Sequence, residues 1–263
     1  MSGSNGTGPA ASERAVDPIT LSTVWHGFQS IGREMRHTID RTAQSYLIAQ
    51  LHDMAAGIWD VQGRTIAVPE GPTSMFLSQG FTVRYIMEKM GHTLRPGDVI
   101  LSNDPYKGYC NHLPDWGFFR PVFYKDELLF VVLTRGHQMD TGGAFPGGYF
   151  PNGYDIHAEG IMIPPIKVVD AGVERTDVLE LIWNNVRWPE GVKIDNYALM
   201  AALKVAENRI VALLDKYGKD AVMDCVEEML DRMETSVRTQ LSGVPDGTYY
   251  GESSTDDDGT VLD

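Results

Sequence analysis

Two apolar runs near the middle of the chain limit the folds that this sequence can adopt. They extend from Phe118 to Tyr124 and from Leu128 to Leu133, and the polar pair Lys125-Asp126 separates them. Strand-like runs joined by a short polar turn are typical of a β-hairpin. Because the second run is apolar at every position, both of its faces need cover, and this predicts a place in the interior of a sheet.

Helical patterns precede and follow this hairpin. Asp17-Pro18 is a helix-start signal, and the apolar residues beyond it recur every three or four positions. Two long amphipathic helices are predicted at Ala198 to Tyr217 and Lys219 to Leu241, with Gly218 between them. Shorter elements are a hairpin at Ala55 to Val68, helices at Phe81 to Met90 and Asp177 to Asn185, and strands at Val99 to Leu101 and Thr248 to Glu252. The sequence therefore predicts an α+β fold, a mixed β-sheet with long packing helices that have large interfaces.

Composition narrows the class of protein. The 263 residues carry a formal net charge of −14 without a basic stripe, which argues against nucleic acid or an anionic membrane as a partner. No apolar run is long enough to span a bilayer, and two cysteines far apart give no disulfide framework. Residues 1–16 lack the basic and apolar parts of a signal peptide. We expect a disordered tail over 1–16, one domain over 17–263 and a cytoplasmic location.

The polar chemistry is concentrated between Asn103 and Asp155. His112 and Asp115 are separated by Leu113-Pro114, and proline favours a turn or extended loop there. A four-residue turn brings its ends within about 7 Å, close enough for both side chains to hold one ion. The same turn would also accommodate a cis Leu113-Pro114 bond. His137 follows the buried strand directly, and two histidines with one carboxylate suit manganese, iron or zinc while leaving coordination positions open.

Other polar residues in the chain have simpler interpretations. Asp104, Asp140 and His157 are either loop and capping residues or acid–base groups beside the site. Cys110 is either a buried inert thiol or a further soft ligand. Core or surface roles are predicted for the histidines at positions 26, 37, 52 and 92. The paired glycines at 142–143 and 147–148 lack the setting of a nucleotide loop, so we expect no ATP binding by this chain. With Phe145, Tyr149, Phe150 and Tyr154 they predict an ordered loop over a pocket.

Several motifs together resemble the hydantoinase B/oxoprolinase family and occur in the family's order over roughly residues 17 to 263. They are Asp17-Pro18-Ile19-Thr20-Leu21, Asn103-Asp104-Pro105-Tyr106, His112-Leu113-Pro114-Asp115, Arg135-Gly136-His137 with Asp140-x-Gly142-Gly143, and Glu159-Gly160 with Ile163-Pro164-Pro165. Within the family, Trp116-Gly117-Phe118-Phe119 and Gly136-His137-Gln138-Met139-Asp140 look most like the metal-bearing (alpha-type) subunit of the acetone and acetophenone carboxylases.

The resemblance implies one subunit of an ATP-dependent ketone carboxylase. It implies a hydantoinase A-like partner that uses ATP to activate the ketone and bicarbonate, and a small third subunit. It implies a divalent metal, manganese first and zinc or iron as alternatives, held by His112, Asp115 and His137 where an enolate is carboxylated. A divalent ion suits this step because a single hydrogen-bond donor supplies only about 3–4 kcal/mol to a developing oxyanion. Arg135 is predicted to pair with a carboxylate, or to form a structural ion pair, and His157 or Asp140 to carry a proton.

Two departures from the family pattern keep alternatives open. Gln138 stands where many members have a second histidine, which leaves the substrate class open. The family domain is also much longer, so the chain is expected to be incomplete at its C-terminus, either a fragment, a split-gene product or a diverged short subunit. Two further hypotheses are an ATP-dependent hydantoinase or 5-oxoprolinase subunit that opens a cyclic amide, and a scaffold subunit without activity.

Overall fold

One seven-stranded sheet forms the centre of the fold. The computed structural model describes residues 16–148, 150 and 153–253. The strands are β1 (Met54–Asp60), β2 (Thr65–Ala67), β3 (Val99–Ser102), β4 (Asp115–Tyr124), β5 (Glu127–His137), β6 (Ile166–Asp170) and β7 (Val173–Glu174). Their order is β2-β1-β5-β4-β3-β6-β7. The predicted hairpin is confirmed as β4 and β5, and β5 lies in the interior with every residue from Leu129 to His137 buried.

Within the described residues, seven α-helices accompany the sheet. They are α1 (Pro18–Thr42), α2 (Tyr46–Ala49), α3 (Thr73–Leu77), α4 (Gln79–Met90), α5 (Thr176–Trp183), α6 (Pro189–Tyr217) and α7 (Lys219–Ser242). The start of α1 follows the predicted signal, since the Asp17 carboxylate accepts a hydrogen bond from the Thr20 amide at 2.8 Å. Over the described residues, none of the helices has both the length and the apolar character needed to cross a bilayer.

The two faces of the sheet are covered differently. Helices α1 and α6 pack on one face, where Trp116, Phe118 and Val122 of β4 join the larger apolar core, and α7 packs against these two helices. The opposite face carries a smaller core in which Phe119 and Leu133 meet α4. Alternation along a strand therefore assigns the odd-numbered residues of β4, and those of β5 from Val131 onward, to the α4 side.

The apolar layer on the α4 side gives way to polar residues near the end of β5. Beyond Leu133, the next residues of that face are Arg135 and His137. In the neighbouring strands the residues paired with Arg135 are Ala55 and Gly117, which are both small. The sheet thus presents polar groups at one end, with little side-chain bulk around them.

The structure confirms the α+β fold with long packing helices and revises several details. Every strand pair in the described region is antiparallel, whereas the sequence predicted a mixed sheet. The predicted strand at Thr248 to Glu252 is not formed, since no neighbouring strand pairs with it within the described residues. Helix α6 begins at Pro189, nine residues before the predicted start. The Leu113-Pro114 bond is trans.

Both ends of the chain fall outside the residues that the structure describes. Residues 1–15 and 254–263 lie outside the described part of the chain, and so does Tyr149 of the glycine- and aromatic-rich loop. The disordered tail over 1–16 and the domain limits of 17–263 stay predictions.

Candidate metal centre

Strand pairing brings two of the predicted ligands together. Asp115 is the first residue of β4 and His137 the last residue of β5, and the two are direct partners in the antiparallel register. Side chains of directly paired residues lie on the same face, with Cβ atoms about 4.5–5.5 Å apart. The Asp115 Oδ1 atom lies 3.3 Å from His137 Nδ1.

The turn before β4 adds the third predicted ligand. His112 Nε2 lies 2.9 Å from Asp115 Oδ1, and the rings of His112 and His137 are 4.9 Å apart at their centres. One ligand atom from each of the three residues lies within 4.8 Å of the others. The structure therefore brings His112, Asp115 and His137 into one cluster, as the sequence predicted, while metal binding itself stays a prediction.

Backbone and side-chain hydrogen bonds fix the turn against the sheet. The Gln138 amide donates to the Pro114 carbonyl at 2.8 Å. The Asn103 side chain donates to the carbonyls of Leu113 and Ile161, at 2.7 and 2.9 Å, and accepts from the Ile163 amide. These contacts hold the turn in place before any ligand binds, which is the preorganisation that a metal site needs.

Asp115 is a buried carboxylate whose charge is stabilised by its histidine neighbours. Burial by itself raises the pKa of Asp115, but hydrogen bonds and charge from His112 and His137 outweigh it and hold that pKa well below its ordinary value. The second carboxylate oxygen, Oδ2, is buried and has no hydrogen-bond partner among the described residues. A buried anionic oxygen without a partner is costly, and a cation in the cluster would remove that cost.

His137 is oriented in the way that metal-binding histidines usually are. Its Nε2 atom lies 2.8 Å from the Gly147 carbonyl, and since a carbonyl only accepts, Nε2 carries the hydrogen. In the neutral ring Nδ1 then presents a lone pair toward the Asp115 carboxylate. Two lone pairs 3.3 Å apart repel unless a proton or a metal ion lies between them. The donor set of the cluster therefore fits a divalent cation.

Without metal, a proton takes that place. Burial alone would lower the pKa of His137, but Asp115, the Gly147 carbonyl and the charge of Asp53 outweigh it and raise that pKa above its ordinary value. Protonated His137 then forms an ion pair with Asp115.

Asp53 belongs to the site although the sequence analysis did not select it. It precedes β1, its carbonyl accepts from the His137 amide at 3.0 Å, and its Oδ2 atom lies 3.6 Å from His137 Nδ1. Burial, followed by the charge of Asp115, raises the pKa of Asp53 in spite of the nearby histidines. No local motif marks this residue, because only the pairing of β1 with β5 brings it to the centre.

Arg135 lies on the same face of β5 as His137 and is fully buried. Its Nη1 donates to the Met75 carbonyl at 3.1 Å and to Ser78 Oγ at 3.2 Å. Within the described part of the chain, its Nε and Nη2 atoms have no hydrogen-bond partner. The guanidinium thus has both a structural contact and spare donors.

Asp140 anchors the loop that follows β5. It accepts hydrogen bonds from the Gly142 amide at 3.1 Å, from Arg187 Nη1 at 2.9 Å and from the Arg187 amide. Arg187 also donates to the Gly143 carbonyl. Arg187 was not selected from sequence, because it lies 47 positions further along the chain.

Among the described residues, the contacts of His157 are with its own loop and not with the three clustered ligands. It is exposed and lines a pocket of about 410 Å³ with residues of the same loop and with Asn185. Its amide donates to the Asp155 side chain. The proton-carrier role predicted for His157 or Asp140 stays a prediction.

The side chains of Gln138 and Cys110 are both buried beside the cluster, and neither faces it as a ligand. The side-chain amide of Gln138 points away from the cluster. It donates to the Gly136 carbonyl and accepts from the Asn196 side chain, which in turn accepts from the indole of Trp183. The Cys110 thiol lies 3.1 Å from the carbonyls of His112 and Asp115, and burial raises its pKa in spite of Arg135. Gln138 therefore serves packing against α6, and Cys110 is a neutral buried thiol.

The fold and this cluster define a class: α+β domains that hold a two-histidine, one-carboxylate centre where two paired strands end. A family model described as Hydantoinase B/oxoprolinase matches residues 17–262. The chain belongs to this family, as its motifs predicted.

Relatives within the family include enzymes named for cyclic amides. The chain is 36% identical to the caprolactamase subunit beta of Pseudomonas jessenii over 94% of its own length and 42% of that protein. It is 32% identical to the 5-oxoprolinase of Dictyostelium discoideum over 86% of its length and 18% of that protein. The chain thus spans less than half the length of these relatives.

Two solved structures share the fold. The ATP-dependent caprolactamase from Pseudomonas jessenii superimposes with a TM-score of 0.82 and 35% identity, covering 89% of this chain and 40% of the other. A nucleotide-free acetone carboxylase superimposes with a TM-score of 0.76 and 19% identity, covering 80% and 28%. The second likeness concerns the fold alone.

Proposed function

We propose that this chain carries the metal-dependent site of an ATP-dependent enzyme that opens a cyclic amide. The observation that carries the proposal is the convergence of His112, Asp115 and His137, whose ligand atoms lie within 4.8 Å of one another around a buried carboxylate. The names of the relatives, for caprolactam and 5-oxoproline, support this substrate class.

The three side chains would hold the ion through His112, the Asp115 carboxylate and His137 Nδ1. A divalent ion there would supply a Lewis acid for a carbonyl oxygen. Asp53 adds a second carboxylate beside His137, and the Gly147 carbonyl keeps the His137 ring in the required tautomer. Manganese is our first choice, with zinc or iron as alternatives, since mixed nitrogen and oxygen donors suit all three.

We assign roles to the remaining predicted residues from their contacts. The spare donors of Arg135 are suited to a carboxylate or phosphoryl group, which accepts two parallel hydrogen bonds from one guanidinium. His157 is the better candidate for a proton carrier because it is exposed beside a pocket. Asp140 is the weaker one, since its carboxylate is engaged by Arg187.

Ketone carboxylation is the second candidate. The motif resemblance favours it, but the acetone carboxylase shares only 19% identity, against 36% for the caprolactamase subunit. Gln138, the departure that left the substrate class open, has its amide in a buried network away from the cluster.

We further propose that the chain works with other subunits. The name of the caprolactamase relative, a subunit beta, supports a multi-subunit complex. A hydantoinase A-like subunit would bind ATP and activate the substrate, and the small third subunit stays a prediction.

The metal site is tested by elemental analysis of the purified complex. We expect about one divalent ion per chain in the wild type and in His92→Ala, an exposed control histidine. His112→Ala and His137→Ala should each lower metal affinity at least about tenfold, because each removes one of three protein ligands. A wild type without stoichiometric metal, or alanine variants that retain it, would overturn the metal site.

The substrate class is tested separately with the assembled complex. We expect ATP consumption and ring opening with a lactam, an imide or 5-oxoproline, at rates that do not depend on bicarbonate. ATP use that requires both a ketone and bicarbonate would reject cyclic-amide opening and support carboxylation.

A further inference from the structure

His52 has an unusual backbone conformation directly before Asp53. Its φ of +54° lies in the left-handed region, which is uncommon for residues other than glycine. Lys125 and Ala171 share this conformation in tight turns at the surface. His52 is exposed as well, but it lies where the chain passes from α2 into β1, directly before Asp53. Strained backbone at such a place is often part of how a site is built.

Hydrogen bonds on three sides hold this strained segment. The Asp53 amide donates to the Leu47 carbonyl at 3.0 Å, and the Met54 amide donates to the His52 carbonyl at 2.8 Å. From helix α1, Asp40 Oδ1 lies 2.9 Å from His52 Nδ1. The imidazole therefore links the turn to α1 by a hydrogen bond. A glycine at this position would adopt the same backbone conformation but could not form that bond.

The turn determines where the Asp53 carboxylate points. With His52 in the left-handed region, the Asp53 carbonyl meets the His137 amide and Asp53 Oδ2 comes within 3.6 Å of His137 Nδ1. An extended conformation at His52 would redirect the chain before Asp53 and remove one of these contacts.

We propose that His52 is a positioning residue for the metal centre, fastened by Asp40 so that Asp53 faces His137. The inference rests on the proposed function, because it assigns His52 a role only if the cluster binds a cation. The side chain of His52 is exposed, in keeping with the core or surface role that the sequence predicted, and positioning is an added role.

The test compares Mn²⁺ dissociation constants by calorimetry, with Zn²⁺ titrated in parallel. His52→Val disfavours the left-handed backbone, and Asp40→Ala removes the fastening while leaving the His52 backbone alone. Both should weaken binding about tenfold, as loss of outer partners of metal sites does. His52→Asn, which tolerates the conformation and can still bond Asp40, should restore binding to within about threefold of wild type. Lys125→Gly is the control at a left-handed residue in the β4–β5 turn.

The outcomes separate this inference from the proposed function. Loss of affinity in His52→Val and Asp40→Ala, with rescue by His52→Asn, supports positioning, because a merely structural role would lower thermal stability without this pattern in the dissociation constants. Wild-type binding by His52→Val and Asp40→Ala overturns the positioning role, even when His112→Ala fails to bind. A wild type that binds neither metal, or binds no better than His112→Ala, overturns the proposed function and the inference with it.

Discussion

His137 is where a proton and a metal ion compete for the same position. Its Nε2 hydrogen is committed to the Gly147 carbonyl, so Nδ1 is the only atom left to face Asp115. When Nδ1 is protonated the pair is an internal ion pair, and when it is not the same lone pair is available to a cation. Raising the pH should therefore lower the stability of the metal-free protein and raise its affinity for metal, both through the same ring.

This competition predicts how thermal stability changes with pH. The pKa of His137 is higher in the folded protein than in the unfolded chain, where it is about 6.5. Protonated His137 therefore stabilises the fold fully below the unfolded pKa, and this stabilisation is lost as pH rises through the folded pKa. Asp115 stays ionised over this range, because its pKa is lowered. In the presence of a chelator, we therefore expect the melting temperature to fall as pH rises above about 6.5.

Differential scanning calorimetry of wild type and His137→Gln would measure this effect. The variant cannot take up a proton, so its melting temperature should change less over the same interval. With saturating Mn²⁺ the wild-type trend should reverse, since metal binds the deprotonated ring. Equal trends in the two metal-free proteins would contradict the assignment of the proton to His137.

At the scale of elements, the loop between β5 and β6 is closed by contacts at its base. The Ile161 amide donates to the Thr141 carbonyl at 2.8 Å, and Thr141 Oγ1 lies 2.6 Å from the Glu159 carbonyl. Arg187, just before α6, reaches both Asp140 and the Gly143 carbonyl. One arginine from a distant part of the chain therefore helps to hold the loop where it leaves the sheet.

Replacing this arginine should loosen the loop. Arg187→Gln leaves the buried Asp140 carboxylate without its cation, and we expect a loss of about 1–3 kcal/mol in unfolding free energy. Hydrogen exchange should accelerate in residues 141–147 and 153–160. Arg175→Gln, which removes an exposed pair with Asp177, is the control and should stay within about 0.5 kcal/mol of wild type. Equal effects of the two substitutions would show that Arg187 does not anchor the loop.

These elements also show which features the sequence could predict. His112 and Asp115 were predictable because proline between them dictates a turn, and His137 because a fully apolar strand ends there. Asp53 and Arg187 were not, since they reach the site through strand register and a contact between distant elements, which leave no local pattern. The antiparallel sheet likewise depends on strand order, and α6 starts early because Pro189 begins the helix nine residues before the apolar pattern that predicted it.

For the whole molecule, the most informative surface is the last part of α7. Every residue from Asp231 to Ser253 is exposed, although Met233, Val237 and Leu241 recur at helical spacing with exposed fractions of 50%, 47% and 64%. A helix segment of this length is marginal in water without packing. Because contiguous exposed apolar side chains mark interaction surfaces, we expect this stripe to contact another subunit of the proposed complex.

Aspartate substitutions would test the stripe directly. The triple variant Met233→Asp, Val237→Asp and Leu241→Asp should lose co-purification with the other subunits, because burying three carboxylates in an interface is strongly unfavourable. Its melting temperature should stay close to that of wild type, since these side chains are already exposed. Thr235→Asp with Thr239→Asp adds charge to the opposite side of the same helix and should leave assembly intact. If the triple variant still assembles, the stripe is not the contact surface; if the threonine control disrupts assembly equally, charge on α7 rather than its apolar side governs association.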